Sequence, residues 1–281
     1  MSVKMKNRNQ QKMCEKQDIE PNDWIKRIER FYVFDDDLGA NMLFVTKDDD
    51  RVYGLGANYY GSLGLGHNQW VSEPQEIIEL RHKKIINFIN GRQFMIFVSN
   101  DSCVYSCGYN KWGQLGYICE NNIYNKPIII EINANNDLIR DVSCGSSHTL
   151  VVTENNNEVY GWGSNSYGQI GSQNTTCDAI TTPKIIEFNG NYCIKSVHCF
   201  EDSSFALTMD GQVFSWGQNC DNILGHNSLE TMICLPQLIS NLNGITSIKL
   251  GFWITFFINI QSMKSYKCTD RTPLCLMDDI Q

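Results

Sequence analysis

The chain has 281 residues, 42% hydrophobic and 19% charged, enough apolar surface for one large domain or two ordinary ones. Its net charge of −8 argues against a general nucleic-acid binder, because phosphate contacts need clustered Lys and Arg. No run of about 18 apolar residues is present, so no transmembrane helix is expected, and the opening MSVKMKNRNQQKMC lacks the apolar core of a secretory signal. Its 12 cysteines are scattered with no C-x-x-C pair, so neither a zinc site nor any other metal or cofactor is expected. They read as reduced core residues of a cytoplasmic or nuclear protein.

In chain order, residues 1–30 form an arm and a short helix. The arm is basic, with Lys4, Lys6, Arg8, Lys12 and Lys16 against Glu15. Weak nucleic-acid contact is expected only there; a solvated terminus is the simpler reading. Residues Pro21–Phe34 read as a short helix followed by a strand.

From residue 31 to 260 the chain repeats. VYGLGANYYGSLG from Val52 recurs as VYSCGYNKWGQLG from Val104, VYGWGSNSYGQIG from Val159 and VFSWGQNCDNILG from Val213, at intervals of 52, 55 and 54 residues. Alternation along a strand puts the valine and the small residue (Gly54, Ser106, Gly161, Ser215) on one face. The aromatic (Tyr53, Tyr105, Tyr160, Phe214) and the residue two further on (Leu55, Cys107, Trp162, Trp216) take the other. One face carries bulk and the other admits a close backbone, which suits stacked sheets. A glycine ends each strand. An asparagine two residues later (Asn58, Asn110, Asn165, Asn219) and further glycines predict tight turns with left-handed backbone. Pro74, Pro127, Pro183 and Pro236 each open an apolar run, as expected of an edge strand. Two more runs complete each unit, for example Ile139–Ser143 with Thr149–Thr153, and Ile194–His198 with Phe205–Thr208. About four strands per unit is the content of a propeller blade.

A fifth unit opens at Leu250-Gly-Phe-Trp-Ile254, but no VY-x-W-G strand follows. The apolar run Leu250–Ile260 reads as one buried strand, and residues 261–281 as a C-terminal tail. The expected fold is therefore all-β: four recognisable four-stranded blades and a partial fifth, in an open arc or incomplete propeller.

With CGSSHTLVVT (Cys144–Thr153) preceding VYGWG, the pattern resembles the regulator of chromosome condensation repeat family, over roughly residues 31–260. The resemblance implies a β-propeller of four-stranded blades, usually seven. PNDWIKRIERFYVF (Pro21–Phe34) further resembles members coupled to a BTB domain, a domain this sequence lacks; such members link to cullin ubiquitin ligases. Two roles follow as expectations: a non-enzymatic protein-interaction scaffold, serving as a ubiquitin-ligase substrate adaptor with cullin-type components as partners, or a guanine-nucleotide exchange factor for a Ran-type small GTPase.

No catalytic constellation emerges. The glycines enter no G-x-x-x-x-G-K-[ST] loop. Cys144 and His148 have the types of a nucleophile and a base, but four residues of strand separate them by about 13 Å, and the next copy has Cys199 with Ser203. His67, His82, His198 and His226 have no ligand spacing, and Asp35–Asp37 and Asp48–Asp50 read as solvated turns. Tyr60, Trp112 and Tyr167 share one repeat position and form a candidate partner-binding rim, since Tyr and Trp anchor interfaces; packing over the next blade is the alternative. The non-repeating stretches Tyr117–Asn125 and Ser172–Thr182 are further candidates.

Overall fold

A computed structural model describes residues 23–277 except 37, 119, 133–136, 173–178, 227, 252–253 and 270–271. The basic arm, most of the 172–182 loop and Trp253 lie outside the described residues. After a short helix, α1 (Asp23–Arg27), come five antiparallel four-stranded sheets, each a meander of consecutive strands. Sheet one holds β1 (Ile28–Asp36), β2 (Gly39–Thr46), β3 (Val52–Gly56) and β4 (Val71–Glu76). Sheet two holds β5 (Ile85–Asn90), β6 (Phe94–Ser99), β7 (Val104–Tyr109) and β8 (Ile123–Ile130). Sheet three holds β9 (Ile139–Cys144), β10 (His148–Thr153), β11 (Val159–Gly163) and β12 (Ile180–Ile185). Sheet four holds β13 (Ile194–Phe200), β14 (Ser203–Thr208), β15 (Val213–Gln218) and β16 (Met232–Leu238). Sheet five holds β17 (Ser247–Gly251), β18 (Ile254–Asn259), β19 (Lys264–Thr269) and β20 (Thr272–Met277).

The all-β blade architecture is the expected one, and the fifth blade goes further than its sequence suggests. Leu250–Ile260 is not one strand: Leu250 and Gly251 end β17, and Ile254–Asn259 form β18. The expected tail contains β19 and β20, which complete the sheet. In register, Ser265-Tyr266-Lys267-Cys268-Thr269 stands where Val213-Phe214-Ser215-Trp216-Gly217 stands in sheet four. Cys268 is fully buried and so takes over the packing role of the tryptophan with none of its sequence signal.

Two motif positions work differently from their sequence reading. The asparagines do not supply left-handed backbone; glycines do, with φ of +121° at Gly56, +73° at Gly61 and +73° at Gly64. Each asparagine instead staples its loop through its side chain, whose oxygen accepts the backbone N–H of Leu63 (3.0 Å), Leu115 (2.8 Å), Ile170 (3.0 Å) and Leu224 (3.3 Å). In the fourth copy Asn222 replaces the second glycine of the loop and carries that glycine's positive φ (+56°). The prolines lie inside the outer strands, not at their openings. At each, three residues bulge opposite one, as Cys234-Leu235-Pro236 do between the Ser215–Gln237 and Gly217–Ile233 pairs. A bulged outer strand has no partner for the proline's missing N–H to fail.

The small residue of each repeat makes room for that blade's own loop. Ser106 Oγ and Ser215 Oγ donate to the carbonyls of Leu115 (2.8 Å) and Leu224 (2.6 Å) in the loop folded over them. The next blade then packs on that loop. Trp162 Nε1 donates to Gln114 O (3.0 Å), Trp216 Nε1 to Gln169 O (2.9 Å), and Cys107 Sγ to Ser62 O (3.3 Å). Gly168 shows how tight the fit is. A Cβ there would stand 2.5 Å from Cys234 Cα, on a backbone with φ +74°. Gly168→Ala is expected to cost on the order of 2 kcal/mol or more from the left-handed backbone and the clash together, read as a lower urea midpoint; an unchanged midpoint would mean the junction is loosely packed.

Candidate protein-interaction face

The long loops after β3, β7, β11 and β15 leave the same end of each sheet as the turns joining its first two strands. Backbone bonds tie the two together: Tyr109 N to Gln93 O (2.9 Å), Ser164 N to Ser147 O (2.8 Å) and Gln218 N to Asp202 O (2.9 Å). One face therefore collects all the motif loops and these first turns.

Near its centre the ends of β1, β5, β9 and β13 surround an open cavity of about 440 Å³, lined by Asp35, Asp36, Asn90, Arg92, Ser146 and Glu201 among others. The turns are linked across blades, Arg92 N to Ser146 O (3.3 Å) and Ser146 N to Glu201 O (2.8 Å). Asp36 accepts Leu38 N (2.9 Å) with one carboxylate oxygen, while its other is buried without a hydrogen bond. Asp35 and Asp36 thus face a cavity and are not merely a solvated turn. Asp48–Asp50 is likewise built in: Arg27 reaches Asp48 (3.3 Å) and Asp49 (3.1 Å), and Asp50 accepts Lys84 N (2.8 Å). Burial raises the Asp202 carboxyl above its ordinary value, against the bond from Gln169 and the charge of Arg92.

Cys144 and Cys199 also line the cavity, where their surroundings disfavour the thiolate. Burial pushes the Cys144 thiol up to about 12 and raises that of Cys199 well above its usual value, so both stay protonated. Cys144 Sγ lies 3.6 Å from Thr149 Oγ1, whereas His148 Nε2 bonds Ser204 Oγ (2.9 Å) in the next blade. The sequence neighbours Cys144 and His148 serve separate packing contacts. Among the described residues no cluster of His, Cys, Asp and Glu is arranged to hold a metal ion, and no helix is long and apolar enough to cross a membrane.

Farther out, the predicted rim aromatics lie on successive loops of this face. Tyr60 is half-buried, its ring edge-on to Tyr109 of the next blade at 5.8 Å. Trp112 and Tyr167 are 40% and 39% exposed, and Lys111 Nζ sits 5.0 Å from the Trp112 ring centre. Their backbone N–H groups are fixed by the side chains of Gln114 and Gln169, each at 2.9 Å. Tyr60 thus partly joins the packing, while Trp112 and Tyr167 remain available. Sequence reasoning passed over Trp70 and Leu229 in loops of the same face, both strongly exposed. Neither has a repeat counterpart, which was their one signal. In the 117–125 stretch Ile118 is 80% exposed.

The Regulator of chromosome condensation (RCC1) repeat profile matches residues 49–98, 101–152, 156–207 and 210–258, and a second profile of that repeat matches residues 139–169. The chain belongs to this repeat family. Human E3 ubiquitin-protein ligase HERC2 is 31% identical over 69% of the chain, and the Arabidopsis thaliana ultraviolet-B receptor UVR8 is 31% identical over 66%. Serine/threonine-protein kinase Nek9 of Xenopus laevis is 28% identical over 72%. The aligned regions are only 4%, 41% and 21% of those proteins' own lengths. Two solved structures share the fold. Human WBSCR16 superposes with a TM-score of 0.68 at 19% identity, over 85% of this chain and 62% of that one. Prp20p of Saccharomyces cerevisiae, described with its binding properties to Gsp1p and histones, gives 0.63 at 21% identity, over 76% and 50%.

Proposed function

We propose that the chain is a non-enzymatic protein-interaction scaffold that binds its partner on the loop face. The observation that carries this reading is the placement of half-exposed aromatic side chains, Trp112 and Tyr167, on rigidly stapled loops around a polar central cavity. Rigid aromatics lose little entropy on binding and anchor interfaces. The RCC1-repeat relatives support the reading: HERC2 is a ubiquitin ligase by name, and Prp20p is described through its binding of Gsp1p and histones. A substrate-adaptor role in ubiquitin ligation, with cullin-type components nearby, is the finer form. A second reading, nucleotide exchange on a Ran-type GTPase, draws on the likeness to Prp20p.

The test is an affinity capture from native lysate with the full chain and with the Trp112→Ala/Tyr167→Ala variant, compared by quantitative mass spectrometry. A specific partner retained by the parent and reduced about tenfold or more by the variant, with unchanged circular dichroism, is the expected result. Equal recovery by both would remove the rim from the interface. Ligase components among the lost partners favour the adaptor; a GTPase released by added nucleotide favours exchange.

A further inference from the structure

The five blades are not interchangeable at their outer flanks. In blades one to four, the face turned toward the next blade carries Gly54, Ser106, Gly161 or Ser215 under that blade's own glycine loop, and the next blade seats its Cys107, Trp162, Trp216 or Cys268 there. All four seated side chains are fully buried. On blade five the equivalent position is Lys267, paired across the sheet with Phe256, which pairs in turn with Lys249. Only two residues separate β19 from β20, so there is no room for the N-x-x-G-x-L-G loop. The far face of this blade carries a Lys249–Phe256–Lys267–Cys275 row, with Ser247, Ile258 and Ser265 on one side of it and Ile254 and Thr269 on the other.

We propose that Lys249 and Lys267 keep this face from accepting another sheet, a second copy of this chain included. The four internal junctions show that the face of a blade turned to its neighbour is packed where its central position carries a small residue, Gly or Ser, and no charge. An unguarded strand layer showing Ile254, Phe256 and Ile258 would be an association surface. Two ammonium groups on the same face would have to leave water for a second sheet to pack.

The experiment compares the full chain, Lys249→Thr/Lys267→Ser and Lys249→Arg/Lys267→Arg by size-exclusion chromatography with light scattering, across a hundredfold concentration range. The Thr/Ser variant is expected to raise its weight-average mass at least twofold over that range. The parent and the Arg variant should hold one mass throughout. Near-ultraviolet circular dichroism matching the parent shows that the gain is association of folded protein. A folded Thr/Ser variant with the parent's constant mass would overturn the proposal. So would an Arg variant that associates like the Thr/Ser one, because the charge would then not be the guard. If the Thr/Ser variant loses its folded spectrum, the single changes Lys249→Thr and Lys267→Ser decide: at least one must associate while folded, and constant mass in both rejects the idea.

Discussion

Trp216→Ala is expected to remove about 4 kcal/mol of stability, the range for truncating a large buried aromatic. Trp216 is fully buried, donates to Gln169 O at 2.9 Å and lies 5.8 Å, edge-on, from the Phe188 ring. Truncation would leave a cavity at the seam of blades three and four and remove one of the two hydrogen bonds to the Gln169 carbonyl, which also accepts Ser204 Oγ (2.7 Å). Domains hold only about 5–15 kcal/mol in total, so the loss should appear as a large fall in the urea midpoint. Leu55→Ala provides the internal comparison. Leu55 holds the same repeat position in blade one, where no described blade precedes it, and it is only half-buried. Its truncation should cost about 1 kcal/mol. Equal costs at the two positions would mean that the tryptophan's burial owes nothing to the preceding blade's loop.

Acid is expected to destabilise the protein well above the range where carboxylates titrate. Burial drives the His148 imidazole down to about 3, and burial with Lys249 and Lys195 drives His198 down to about 4; His226 is also lowered by burial. A histidine whose folded value is depressed is neutral in the fold, while the unfolded chain takes up protons below about 6.5. The stability these residues lend is therefore complete above about pH 6.5 and declines as pH falls toward the folded values. At pH 5.5 His148 alone should account for about 1.4 kcal/mol, and with His198 the loss is about 2–3 kcal/mol. Asp141 and Asp202, raised by burial, act in the opposite direction at lower pH, so melting should be compared between pH 7.5 and 5.5. A falling Tm that is flatter in His148→Gln fits this account. A Tm that holds or rises at pH 5.5 does not.

Much of this fold was legible because one thirteen-residue pattern recurs, and a backbone that needs glycine advertises it. Gly56, Gly61 and Gly64 were readable as turns before any coordinates, and their positive φ follows. What the asparagines do was not, because a side chain bonding a backbone five residues on leaves the same letter as a left-handed turn. The fifth blade was only half visible. Cys268 fills the tryptophan position with a smaller body, and Lys267 breaks the small-residue rule, so a pattern search passes over a strand that geometry makes equivalent. The loop face was partly legible. Tyr60, Trp112 and Tyr167 stood out by recurrence, but the central cavity is assembled from turns more than 50 residues apart, and no local spacing announces it. Asp36, Arg92, Ser146 and Glu201 meet only because four blades converge.

The offset between sequence unit and sheet has its own consequence. Each matched repeat, such as 101–152, starts just before the third strand of one sheet and ends in the second strand of the next. Every internal unit is thus a covalent hinge pin through two neighbouring sheets, and duplicating or deleting one preserves whole sheets inside the array. Among the described residues, β1 and β2 at one side and β19 and β20 at the other lie outside the matched repeats, so changes in those four strands leave the repeat-built junctions among sheets two, three and four as they are.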